Sequence, residues 1–161
     1  MIRQHFIRIL FWGLFTCLLF SACKQAALYE RLKNIPKAEW ENGEKLEFAI
    51  EIPDTTQSYY LIVTIRHTHQ YAYRNVWVKL GLQQPGTDSI TYRDFDLPLA
   101  NNEQWLGVGM DDVYERRIRL FGKPVRFTST GTARFTLQQI MRDNPLKHVL
   151  QAGIRVEPAN E

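Results

Sequence analysis

Two histidines, four aspartates and one cysteine carry the richest chemical options in this sequence. His67 and His69 stand two apart in RHTHQYAY, Arg66 to Tyr73. Residues two apart on a strand project to one face, and two imidazoles there could share a metal ion. No third ligand is signalled nearby. The pair also continues the apolar row of Leu61, Val63 and Ile65, so the plainer reading is a polar strand end, and no metal is expected. Asp94 and Asp96 share a face in the same way, while Asp111 and Asp112 are adjacent. Paired carboxylates drive glycoside hydrolysis when one stays protonated and the two flank a bond. Nothing in the sequence sets such a separation, and a solvated strand face or a turn accounts for all four. Ser58, Ser89 and Ser129 lie in no nucleophile elbow, and no phosphate-binding glycine loop or zinc signature occurs. The expectation is therefore a chain with no catalytic residue and no cofactor.

Cys23 has a chemistry that its neighbours specify. Arg3 and Arg8 give a positive start, and Ile9 to Phe20 is almost wholly apolar. That run is far shorter than the roughly 20 residues a spanning helix needs, and it has the length of a signal-peptide core. Ser21 and Ala22 then supply small residues ahead of the cysteine. LFSAC, Leu19 to Cys23, resembles a bacterial lipobox, with Phe20 in place of the usual aliphatic residue. The expectation is a signal peptide over 1–22, removed with Cys17, and a mature chain that begins at a lipidated Cys23. Fatty acyl chains bury methylenes at about 0.8 kcal/mol each, enough to hold a soluble domain at a membrane. KQAALYE follows without a run of acidic residues, which favours the periplasmic face of the outer membrane.

Composition sets limits on the rest. A length of 161 residues suits one domain. With 45% hydrophobic and 23% charged residues, the chain is expected to fold. Its formal charge of +3 is too small for a nucleic-acid binder, and part of it leaves with the signal peptide. Two cysteines, one discarded and one lipidated, build neither a disulfide scaffold nor a thiolate zinc site.

The elements that must position these residues read as strands. Residues 23–45 read as a lipidated tether and approach segment, a tether in the first half and an edge strand afterwards. Leu46, Phe48, Ile50 and Ile52 then alternate with Glu47 and Glu51. Tyr59 to Arg66 is apolar on both faces and reads as a central strand. Val76 to Leu82 and Ser89 to Leu97 flank QQPGTD, Gln83 to Asp88, as a hairpin. Ile118 and Leu120, Val125 and Phe127, and Gly131 to Leu137 continue the pattern, and Leu150 to Val156 closes it. Thr136 to Arg142 is read as a short helix stopped by Asp143, Asn144 and Pro145. The result is an all-β chain with a single β-sandwich over 46–157, jelly-roll-like or immunoglobulin-like, and a frayed tail over 158–161. The inward rows place Phe48, Val63, Val78, Phe135 and Ile154 in its core.

Two stretches break the alternation: Arg66 to Tyr73 and the glycine-containing loop from Trp105 to Tyr114. Both mix aromatic and polar groups, a composition enriched at interface hot spots. His67, His69, Tyr71, Tyr73, Trp105, Asp111, Asp112 and Tyr114 are thus candidate partner-binding residues. The competing expectation is that Tyr71 and Trp105 close an end of the core. Exposed aromatics among Trp40, Trp77 and Trp105 and among Tyr59, Tyr60, Tyr71, Tyr73 and Tyr92 would instead suit stacking on sugars. Arg116, Arg117 and Arg119 add local positive charge.

Taken in order, the segments resemble a known family. They are the lipobox, LYE at Leu28 to Glu30, IPKAEW at Ile35 to Trp40, and DTTQSYYLIVTIRHTHQYAYRNVWV at Asp54 to Val78. WLGVGMDDVYERRIRL at Trp105 to Leu120, VRF at Val125 to Phe127, QQIMRDNPL at Gln138 to Leu146 and GIRVE at Gly153 to Glu157 complete the set. This series is similar to the gliding-motility lipoprotein GldH family of the Bacteroidota. The resemblance implies a non-enzymatic accessory of the gliding and type IX secretion machinery, held at the membrane by Cys23 and docking envelope proteins. It carries over no catalytic residue.

Overall fold

The computed structural model describes residues 27–159. The signal peptide and Cys23 lie outside the described residues. Eleven strands form among them: β1 Tyr29–Asn34, β2 Glu39–Trp40, β3 Leu46–Ile52, β4 Tyr59–Thr68, β5 Asn75–Gln83, β6 Ile90–Pro98, β7 Val108–Met110, β8 Val113–Arg119, β9 Gly131–Gln139, β10 Leu146–Lys147 and β11 Val149–Pro158. The only helical element among these residues is a 3-10 turn at Pro36–Ala38.

The strands build two antiparallel sheets, ordered β1-β11-β4-β8-β7 and β3-β9-β5-β6, and a small β10-β2 pair. The alternation in the sequence decides which faces meet. Leu46, Phe48, Ile50 and Ile52 are buried while Glu47, Ala49 and Glu51 are exposed. Opposite them, Leu61, Val63 and Ile65 of β4 join Ala152, Ile154 and Val156 of β11. Side chains of the two inner faces form one core, as in a β-sandwich. The five inward residues expected from the pattern are all in it, from Val63, Val78 and Phe135 at 0% exposure to Phe48 at 3%. Strand β4 is apolar on both faces because it is central, between β11 and β8.

Several sequence expectations change. The approach segment contains β1, which pairs with β11 from Tyr29↔Val156 to Asn34↔Gln151. As an edge strand it buries little and shows no apolar alternation. Thr136 to Arg142 is not a helix. Strand β9 runs to Gln139, paired on both sides, and the period-two burial of Ala133, Phe135, Leu137 and Gln139 overrides the polar Gln-Gln signal. The expected loop from Trp105 to Tyr114 holds β7 and the start of β8. Val125 makes only an isolated bridge to Tyr59, and Pro158 belongs to β11 instead of the tail.

Gly153 shows how tightly the first and last strands meet. A Cβ there would lie 2.1 Å from the Arg31 carbonyl oxygen and 2.8 Å from the Leu32 Cα. Only glycine allows that approach. In the core, Phe135 packs edge-on to Phe127 with centroids 6.4 Å apart. Phe135→Ala should lower unfolding free energy by roughly 3–5 kcal/mol in chemical denaturation. An unchanged midpoint would show that this inner face has been assigned wrongly.

Candidate functional site

The sandwich brings the two irregular segments together at one end. His67 is the last inward residue of β4, opposite Val149 on one side and Tyr114 on the other. After Thr68 the strand ends, and the Tyr71 N–H donates to the Thr68 carbonyl in a turn. That turn folds Tyr71 back over His67, with ring centroids 5.4 Å apart. Trp105 arrives from the opposite segment, pinned by the Leu106 N–H bond to the Leu99 carbonyl, and its ring sits 4.5 Å from His67. Tyr114 stacks at 5.8 Å. Its ring lies over Gly109, where a Cβ would come within 2.9 Å, so the glycine in GVGM is required by this ring.

His67 is fully buried, and burial lowers its pKa. Nδ1 lies 2.9 Å from the Thr68 carbonyl oxygen, which can only accept, so the neutral ring carries its proton on Nδ1. Nε2 is then a buried acceptor with no hydrogen-bond partner among the described residues. Three aromatic rings surround it. Tyr71 is 3% exposed and donates to the Asn75 carbonyl; burial, with Tyr73 and Asp143 nearby, pushes its hydroxyl well above the usual range. Tyr73 is half-buried and donates to the Asp143 carboxylate, which raises its own pKa.

His69 does not share a face with His67. It lies beyond the strand, exposed, with Nδ1 3.3 Å from Asp112. Asp111 is exposed beside it in a positive-φ turn. The two segments are thus joined, but His67, Tyr71, Trp105 and Tyr114 pack as the end of the core, while His69, Asp111 and Asp112 stay at the surface. Sequence reasoning missed the most exposed apolar residues of this region, Val108 and Met110, 74% and 76% exposed. They lie on β7, the free edge of its sheet. Their spacing of two was the available signal.

The aspartate pair of β6 is on the outer face of the four-stranded sheet. Asp94 accepts from Lys79 at 2.7 Å and Asp96 from Asn75 at 2.6 Å. Trp77 and Tyr92 flank that face, 42% and 47% exposed, with the Lys79–Asp94 pair between their rungs. Trp40 is fully buried and takes no part in a surface. On the outer face of the other sheet, Glu115 binds Arg66 at 2.6 Å and Arg117 at 3.0 Å, and Glu30 holds Arg117 and Arg155. Arg119 stacks on Tyr60 at 3.6 Å. Beside β7 this face carries an open groove of about 750 Å³, lined by Val108, Met110, Val113, Arg66, Arg116 and Arg117 among others.

These features define a class: a β-sandwich with one end closed by packed aromatic side chains and with an apolar sheet edge beside a groove as its distinctive surface. Residues 27–156 match the family described as GldH lipoprotein, and the chain belongs to that family. It is a lipid-anchored protein of the cell envelope. The chain is 28% identical over 155 residues to the "Gliding motility lipoprotein GldH homolog" of Christiangramia forsetii, covering 91% of this chain and 93% of that protein. It is 22% identical over 156 residues to the "Gliding motility lipoprotein GldH" of Flavobacterium johnsoniae, covering 89% and 92%. A solved structure of TmCBM61 with beta-1,4-galactotriose aligns over 82% of this chain and 88% of its own, at 13% identity and a TM-score of 0.34, too weak a likeness to bear on ligand.

Trp105→Ala should cost roughly 3 kcal/mol, the low end for a core aromatic, because the half-buried ring closes the core over His67. Unchanged stability in thermal melts would return Trp105 to the surface. For His67, the unfolded imidazole takes a proton near 6.5 while the folded one resists it. Lowering the pH from about 6.5 therefore removes stability until the folded ring also titrates. His67→Phe should flatten this slope in denaturation curves recorded across that window. A slope identical to the parent protein's would show that His67 is not held neutral.

Proposed function

We propose that this chain is a non-enzymatic accessory of the gliding-motility and type IX secretion-associated machinery, lipidated at Cys23 and facing the periplasm from the outer membrane. It acts by docking a protein partner. The names of its relatives and the lipobox LFSAC support the setting. The observation that carries the docking is β7, whose outer edge pairs with no strand among the described residues and whose Val108 and Met110 are the most exposed large apolar residues described.

An open edge with side chains two apart suits an extended segment of the partner added as a further strand. Main-chain hydrogen bonds would then supply affinity, and an apolar side chain would fill the groove between Met110 and Val113. Of the candidate residues, His69, Asp111 and Asp112 would meet that partner directly, and their exposure supports this. Tyr114 backs the edge through its ring over Gly109, with His67, Tyr71 and Trp105 packed behind it, while Tyr73 joins this cluster only through Tyr71. The carbohydrate reading ranks second. Trp77 and Tyr92 are exposed on one face, but an ion pair interrupts them.

Photo-cross-linking in the native cell tests this reading. A cross-linker at Met110 should give one dominant adduct with an envelope-machinery protein, and a cross-linker at Glu47 on the other sheet should not. Val108→Asp should reduce that adduct at least fivefold while leaving the melting temperature nearly unchanged. Cys23→Ala should abolish both fatty-acid labelling and the adduct. Equal adducts from Met110 and Glu47 would contradict docking at β7.

A further inference from the structure

The anchor and the fold together define which end of the domain meets the lipid. Four Cα steps separate Cys23 from Ala27, the first described residue, and these span at most about 15 Å. Strand β1 starts two residues later at Tyr29, and Tyr29 pairs with Val156, which pairs with Leu61. The end of the sandwich at that rung therefore sits close to the lipidated cysteine. The rung of His67, Tyr114 and Val149 lies six residues further along β4, about 20 Å away.

The near end has its own chemistry. From Arg116 to Arg142 the chain carries seven basic residues and no acidic one. Three of them come to this end. Arg119 closes β8 next to Tyr60, and Lys123 and Arg126 lie on the connection that bridges back to Tyr59 through Val125. Arg93 joins them from β6, its guanidinium 5.7 Å from the Phe121 ring centre. All four are exposed, with Arg126 hydrogen-bonded to the Ser58 hydroxyl. The acidic groups at this end are largely engaged. Asp54 is held by the Thr56 N–H and hydroxyl, Glu51 accepts from Thr132, and Glu157 is paired with Arg155. Asp88 lies in the exposed β5–β6 turn.

We infer that Arg93, Arg119, Lys123 and Arg126 form a membrane-facing surface that contacts lipid phosphates and holds the domain upright, with the His67–Trp105 end and β7 pointing away. This rests on lipidation at Cys23. Basic residues near an anionic bilayer attract it, and an acyl anchor combined with a basic patch binds more firmly than either alone. The short tether raises the local lipid concentration at this end, so weak phosphate contacts suffice to set orientation. An edge that docks a partner is thereby kept clear of the headgroups.

Two glycines provide reporters at opposite ends. A Cβ at Gly122, beside Lys123, or at Gly43, in the β2–β3 connection, meets nothing within 4 Å. Gly122→Cys and Gly43→Cys are made in the full precursor, processed and acylated in the cell, and labelled with a fluorophore. Each protein is placed in vesicles of phosphatidylethanolamine and phosphatidylglycerol carrying a spin-labelled headgroup quencher. Quenching at position 122 should exceed that at position 43 by at least threefold. Lys123→Glu with Arg119→Glu in the Gly122→Cys background should reduce that ratio by half or more, as should raised salt. Equal quenching at the two positions, or a ratio indifferent to charge reversal, overturns the inference. Intact mass separates this from the anchor: acylated protein with equal quenching removes the orientation alone, whereas an unacylated Cys23 peptide from native membranes removes the anchor and the orientation with it.

Discussion

The pairing of β11 with β4 and β1 is the constraint on which the rest of the structure depends. Strand β11 is the last of the described strands, yet it lies inside its sheet, with β1 on one side and β4 on the other. The first strand has its place only once the last has formed. Contacts of such long sequence separation make folding slow and cooperative. They also fix geometry, because Gly153 lets β1 approach closely and Ala152, Ile154 and Val156 fill the core behind it. Strand β1 is thus joined through one partner to β4, the central strand whose far end carries His67.

Polar residues finish the core where the apolar rows run out. His67 ends the row of β4 and Gln139 ends that of β9, and both are fully buried. Gln139 is satisfied: its side chain accepts from the Met141 N–H and reaches the Trp40 carbonyl. His67 satisfies one nitrogen and leaves the other without a partner among the described residues, a cost of about 1–3 kcal/mol set against its aromatic packing. A buried neutral imidazole among three rings is a packing device, and its titration reports on the closure of that end.

The two-residue period made the sheet interior legible. It identified the inward rows of β3, β4, β5, β9 and β11 and the β5–β6 hairpin, because half-buried strands must alternate. Strand β1 escaped because an edge strand of Tyr-Glu-Arg-Leu-Lys-Asn buries too little to leave a pattern. Gln139 escaped because burial of a glutamine depends on main-chain partners far away in sequence. The site divided along the same line. The sequence marked the two segments that meet at one end, since both break the alternation. Which side chains turn inward depends on the turn after Thr68 and on Gly109, and neither is visible from residue types. The spacing of Val108 and Met110 puts them on one face, but their exposure follows from the place of β7 at a sheet edge, which only the topology gives.

Hydrogen exchange of backbone amides in the folded, lipidated protein tests this account most directly. If β11 holds the sheet together, the inward and paired amides of β4 and β11, from Ile62 to Ile65 and Ala152 to Val156, should be the slowest and should exchange together by global unfolding. The amides of β1 that bond to β11 should be slowed with them, and those of β7 should exchange orders of magnitude faster. Rapid exchange along β11 with protection confined to β3, β5 and β9 would contradict it.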